Sequence, residues 1–131
     1  FGSDPDVVGR HVAAWVAGLQ AEGVAACVKH FPGHGDTAQD SHFELPALDH
    51  DMERLEKVEL LPFRAAIDAG VASIMTAHVV FRPLDDALPA TLSAPVLTSL
   101  LRERMGYDGV VISDDLEMKA IARSYRFSMR G

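Results

Sequence analysis

Three observations predict an α/β fold with parallel strands. Helical and extended patterns alternate along the 131 residues, three apolar runs each end in polar or charged side chains, and a loop rich in glycine, proline and histidine follows the first run. Strict alternation of helix and strand implies parallel strands joined by right-handed crossovers. The length suits one domain, or part of one.

Residues 4–22 read as a helix. Asp4 is a favoured N-cap, Pro5 suits the first helical position, Gly23 is a stop, and Val8, Val12, Trp15 and Leu19 form one stripe. "VAACVKHF", residues 24–31, is apolar until Lys29, the pattern of a strand covered by helices on both faces. The single cysteine, Cys27, lies in this run and reads as an inert core residue. It excludes an intrachain disulfide and fits a reducing, cytoplasmic compartment. From Pro32 to about His50 the chain is irregular, far longer than the usual connection of about 4–6 residues, and loops of that length are commonly functional.

Residues 51–69 are helical in pattern but contain Pro62. The expectation is a short first helix and a second beginning near Leu61, with Pro62 in its first turn and Gly70 at its end. "VASIMTAH", residues 71–78, is a second buried strand finishing in His78. Ser93 can cap a helix with Val96, Leu97, Leu100, Leu101 and Met105 on its apolar side and Gly106 as terminator. "GVVISDD" then makes a third strand, and a last helix is expected from Leu116 to Arg123.

Composition narrows the function classes. With 48% hydrophobic and 24% charged residues the chain should be a soluble globular protein, and no apolar stretch approaches the roughly 20 residues of a membrane span. A net charge of −7 with scattered Lys and Arg argues against a nucleic-acid partner. The chain opens on Phe1 without a methionine, so targeting cannot be read and the natural N-terminus is expected to lie elsewhere.

In parallel α/β folds ligands bind beyond the carboxyl ends of the strands, where this sequence puts Lys29, His30, His78 and Asp114. Each has a plainer reading. Asp114 with Asp115 can cap the following helix, although a cap needs only one of them. Lys29 can extend its ammonium into solvent. His30, His34 and His42 with Asp36 and Asp40 could ligate zinc or iron, but their spacing matches no common metal signature. Pro32, Gly33 and Gly35 instead suit a loop that brings backbone close to a ligand, and "GHG" lacks the lysine of a phosphate loop. Asp40 and His42, two apart, face the same way in an extended segment. The carboxylate can then hold one imidazole nitrogen while the other trades a proton with substrate, unless the pair is simply solvated.

"KHFPGHGDT", "DSH", "ELLPFRAAIDAGVASIMTAH" and "VVISDDLEMKAI", in that order, resemble glycoside hydrolase family 3, and within it the bacterial β-N-acetylglucosaminidases, or β-hexosaminidases. The resemblance covers about residues 1–122. It implies part of a (β/α)8 TIM barrel in an enzyme that removes terminal β-linked N-acetylglucosamine, typically from peptidoglycan fragments during cell-wall recycling. By position it implies Asp114 as nucleophile, His42 as general acid/base and Asp40 as its partner. Lys29 and His30 match residues that hydrogen-bond sugar hydroxyls, and His78 is grouped with them as a substrate-binding residue close to the site. No cofactor or metal is implied. Retaining hydrolysis would follow, with Asp114 attacking the anomeric carbon while His42 protonates the leaving oxygen. A (β/α)8 barrel needs about 250 residues, so residues 1–131 are expected to be an incomplete catalytic domain lacking earlier strands and the last strand and helix. Exposed strand edges should favour self-association. Two alternatives stand beside the hydrolase: a non-catalytic sugar-binding or assembly fragment, and an enzyme that passes the glycosyl group to phosphate.

Overall fold

The structure, a computed structural model, describes residues 1–37, 45–119 and 121–122. Helix α1 spans Pro5–Ala21, with the Asp4 carboxylate accepting the amides of Asp6 and Val7 at 2.9 and 3.1 Å. Gly23 ends it in the left-handed region at φ +76°. The buried side of α1 is centred on Gly9 and Val16, flanked by Val12 and Leu19. Trp15, expected on that stripe, is 64% exposed. The reason is steric: a Cβ at Gly9 would sit 3.3 Å from Leu61 Cδ2 and 3.4 Å from Ala65 Cβ, so the neighbouring helix seats over the residue without a side chain and leaves the indole outside.

Strands β1 (Cys27–Phe31), β3 (Ser73–Thr76) and β5 (Val110–Ser113) form a three-stranded parallel sheet in the order β1-β3-β5. Cys27 is in register with Ser73 and Val110, and Val28 with Ile74 and Val111. Val28, Ile74 and Val111 turn toward the core formed with α1 and the later helices. Among the described residues the opposite face is uncovered: Cys27 is exposed, as are Val110 at 59% and Ile112 at 37%. This corrects two expectations, that the strands are covered on both faces and that Cys27 is a core residue. Strands met in sequential order with same-handed crossovers place every helix on one side of the sheet. Cys27 falls on the other side.

Between β1 and β3 the chain turns helical at Met52. Helix α2 (Met52–Arg54) passes into a wider i→i+5 turn, Leu55–Glu59, and then α3 (Leu60–Asp68). Asp51 caps the start by accepting the Arg54 amide at 2.8 Å. Pro62 lies in the first turn of α3 as expected. Its missing N–H and its ring disfavour a regular α-turn before it, and the wider winding, in which Leu60 N–H reaches Leu55 C=O, removes the conflict. Gly70, at φ +73°, ends the helix. Gln20 bridges α1 to this end, donating to Gly70 C=O at 2.9 Å and accepting from Ala72 N–H at 2.8 Å.

Helix Pro95–Arg104 is capped by Ser93 Oγ at Val96 N–H, 3.3 Å, and also winds i→i+5, with Met105 N–H on Leu100 C=O at 2.9 Å. Val96, Leu100, Leu101 and Met105 are buried, as the pattern predicts, and Gly106 closes the helix at φ +71°. The last helix starts later than expected. Residues 116–118 form a turn built on Asp115, whose carboxylate accepts Glu117 N–H at 2.8 Å, and helical residues begin at Lys119. Arg123 lies outside the described residues.

One feature is absent from the sequence reading. Strands β2 (Ala47–Leu48) and β4 (Val80–Phe81) pair in parallel, with Ala47 opposite Val80 and Leu48 opposite Phe81. Arg82 Nη1 then holds both Asp49 oxygens at 2.8 and 2.9 Å. The mini-sheet ties the return from the long loop after β1 to the loop after β3. Strands of two residues carry no periodicity to read.

Candidate active site

Parallel strands bring their carboxyl ends to one edge, and Lys29, His30, His78 and Asp114 gather there. The closest pair comes from the outer strands: His30 Nε2 lies 3.4 Å from Asp114 Oδ2, with the side chains 28% and 27% exposed. Burial lowers the His30 pKa from its ordinary value; Asp114 opposes that shift, while Lys29, His34 and His78 add to it. His30 is therefore neutral near pH 7, with a single ring N–H. The plainer reading of the two aspartates resolves by division of labour. Asp115 forms the turn, whereas Asp114 accepts Asp115 N–H through Oδ1 at 2.9 Å and keeps Oδ2 toward the site. Lys29 is exposed at the end of β1.

His78 is different in kind. It is 1% exposed, and both ring nitrogens are engaged within the chain. Nε2 lies 2.9 Å from Asp115 C=O and Nδ1 lies 2.8 Å from Thr91 Oγ1. Because a carbonyl only accepts, Nε2 carries the hydrogen. Thr91 Oγ1 is also 3.0 Å from Thr76 Oγ1 and from Ala77 C=O. A ring so occupied has no free donor for a sugar hydroxyl.

The glycine-rich loop leaves β1 past His34, whose ring meets His30 edge-on at 5.7 Å and whose Nδ1 lies 2.9 Å from Thr37 Oγ1. Its base is braced by residues the sequence did not single out. Asp36 Oδ2 lies 3.0 Å from His50 Nε2 and 3.5 Å from Arg54 Nη2, and Arg54 is held in turn by Glu59 Oε1 at 2.9 Å. His50, Arg54 and Glu59 belong to a different stretch of chain from Asp36, so only folding reveals the brace. Asp40 and His42 lie outside the described residues. A cleft of about 500 Å3 opens between α1 and β1, with Val8, Val12, Lys29, His30, Arg54 and Phe63 among its walls; Asp114 lies outside it. Among the described residues no group of three metal-ligating side chains converges.

Residues 1–131 match the glycosyl hydrolase family 3 N-terminal domain over their whole length. The chain belongs to glycosyl hydrolase family 3. Within this family it is 44% identical over 124 residues to a β-hexosaminidase of Alkalilimnicola ehrlichii, covering 95% of this chain and 35% of that protein. A family 3 β-N-acetylglucosaminidase of Paenibacillus superposes with a TM-score of 0.90 at 55% identity, covering 92% of this chain and 23% of that one. NagZ of Neisseria gonorrhoeae, solved in complex with N-trifluoroacetyl-D-glucosamine, superposes with a TM-score of 0.82 at 41% identity, over 89% of this chain and 34% of that one. The chain thus spans about a third of the length of that curated β-hexosaminidase. The family match runs beyond Ile121, where the recognisable family motifs end.

Proposed function

We propose that the chain is part of the catalytic (β/α)8 barrel of a retaining β-N-acetylglucosaminidase that acts on peptidoglycan fragments. The observation that carries this reading is the partly buried Asp114 carboxylate at the end of β5, 3.4 Å from His30 at the end of β1, at the edge where a parallel sheet collects its chemistry. The printed names of the relatives, β-hexosaminidase and β-N-acetylglucosaminidase, support the substrate class. The uncovered apolar face carrying Val110 and Ile112 supports the barrel, because inward side chains of a barrel pack against those of further strands. So do β1 and β5, each paired on one side only among the described residues.

In this mechanism Asp114 Oδ2 attacks the anomeric carbon while protonated His42, held by Asp40, gives its proton to the departing oxygen. The glycosyl–Asp114 ester forms and the aglycone leaves as an alcohol. His42 then takes a proton from water as that water attacks the same carbon, releasing the sugar with net retention. Lys29 donates a hydrogen bond to a sugar hydroxyl, and neutral His30 hydrogen-bonds one through the ring nitrogen that does not face Asp114, as acceptor.

The test is hydrolysis of a nitrophenyl N-acetyl-β-glucosaminide by the complete enzyme, with Asp114→Asn alongside. The expected loss is roughly 10³-fold or more in kcat. Equal activity in the two forms removes Asp114 from the mechanism.

A further inference from the structure

We propose that His78 is a positioning residue that aims the Asp114 carboxylate, and not a substrate ligand; the inference rests on the nucleophile assignment above. Asp115 is the hinge of the argument. Its N–H donates to Asp114 Oδ1 at 2.9 Å, so the orientation of the carboxylate follows the orientation of that residue's backbone. Its C=O accepts from His78 Nε2 at 2.9 Å, so the same residue is pinned from the neighbouring strand end. His78 in turn cannot rotate, because Nδ1 is engaged by Thr91 Oγ1 at 2.8 Å and the ring is 1% exposed. Thr91 Oγ1 in turn accepts from the Thr76 hydroxyl at 3.0 Å, which ties the chain of contacts back to β3.

The geometry matters because past Ser113 the chain leaves the β3–β5 ladder for a turn. Nothing in the strand pairing itself orients Asp114, one residue beyond the last paired position. A buried, doubly bonded imidazole on the adjacent strand supplies that orientation without touching substrate. A misaimed nucleophile binds sugar as well as before but reaches the anomeric carbon less often, so the effect belongs in kcat.

Two amide variants separate the roles, since the Gln amide nitrogen reaches the place of Nε2 whereas the Asn amide nitrogen stops at the place of Nδ1. In the complete enzyme, assayed on a nitrophenyl N-acetyl-β-glucosaminide, His78→Asn is expected to lower kcat about 100-fold with KM changed less than about threefold. His78→Gln should recover kcat to within about tenfold of wild type. A rise in KM with kcat preserved would make His78 a substrate ligand and overturn the proposal, as would equal kcat in the Asn and Gln variants. Should neither variant fold, Thr91→Val against Thr91→Ser decides. The proposal requires a roughly tenfold lower kcat in the Val form, and kcat values within twofold of each other refute it. Asp114→Asn run in parallel keeps the two claims apart: if it retains activity the nucleophile assignment fails, whereas if it is inactive and the His78 variants behave like wild type, only the positioning role fails.

Discussion

Two glycines flank His34, and the structure predicts opposite consequences for replacing them. Gly33 sits at φ +153°, in the region that disfavours side chains, and a Cβ there would lie 2.8 Å from Glu59 Cγ and 2.9 Å from Glu59 Cβ. Glu59 has little room to retreat: its side chain is 9% exposed and its Oε1 holds Arg54 at 2.9 Å. For Gly33→Ala the backbone contributes about 1–3 kcal/mol of strain. The forced contact contributes about 1–3 kcal/mol more, a destabilisation of about 2–6 kcal/mol in all. Gly35 has ordinary φ and no described atom within 4 Å of its Cβ position. Gly35→Ala should be neutral, or stabilising by up to ~1 kcal/mol through a stiffer unfolded chain. Urea unfolding of the two variants beside wild type measures both. Equal midpoints for Gly33→Ala and wild type, or equal losses in the two variants, would show that the close approach of the loop to Glu59 does not constrain it.

Phe31 is fully buried and meets Phe63 edge-to-face at 5.2 Å, so Phe31→Ala should cost about 3–5 kcal/mol in the same measurement. His30 predicts a pH dependence. Its pKa is lowered from 6.5, chiefly by burial, so the unfolded chain binds the extra proton more readily than the folded one, and stability falls as pH drops below 6.5 toward the shifted value. Above 6.5 this contribution vanishes. Asp114 faces the ring and partly offsets the effect, while Lys29, His34 and His78 reinforce it. His30→Gln should flatten that part of the stability profile, and an unchanged profile would refute the assignment.

Much of the architecture is written in local chemistry. Asp4, Pro5 and Gly23 mark α1, Ser93 and Gly106 mark the helix between them, and Pro62 marks the break before α3, because caps, rings and left-handed turns act within a few residues. The apolar runs ending at His30, His78 and Asp114 likewise announced three parallel strands with their polar ends together. Which face of each element is buried was not legible in the same way. Trp15 and Cys27 are apolar residues in apolar patterns, yet both are exposed, since burial depends on where the other helices dock.

The sequence by itself determined the order of the longer helices and of the three main strands, the caps, and the edge of the sheet where reactive side chains collect, because these follow from spacing along one chain; the family entered through the resemblance of its motifs. Only the tertiary structure decided that Asp114 meets His30 from across β3, that Asp115 rather than Asp114 builds the turn, that Arg54 and Glu59 brace the histidine loop, and that His78 is locked between Thr91 and Asp115. The longest of those contacts join residues tens of positions apart: His78 and Asp115 are 37 apart in sequence, and His30 meets Asp114 from another strand altogether. At such separations the partner is chosen by packing and crossover geometry, which no local pattern encodes.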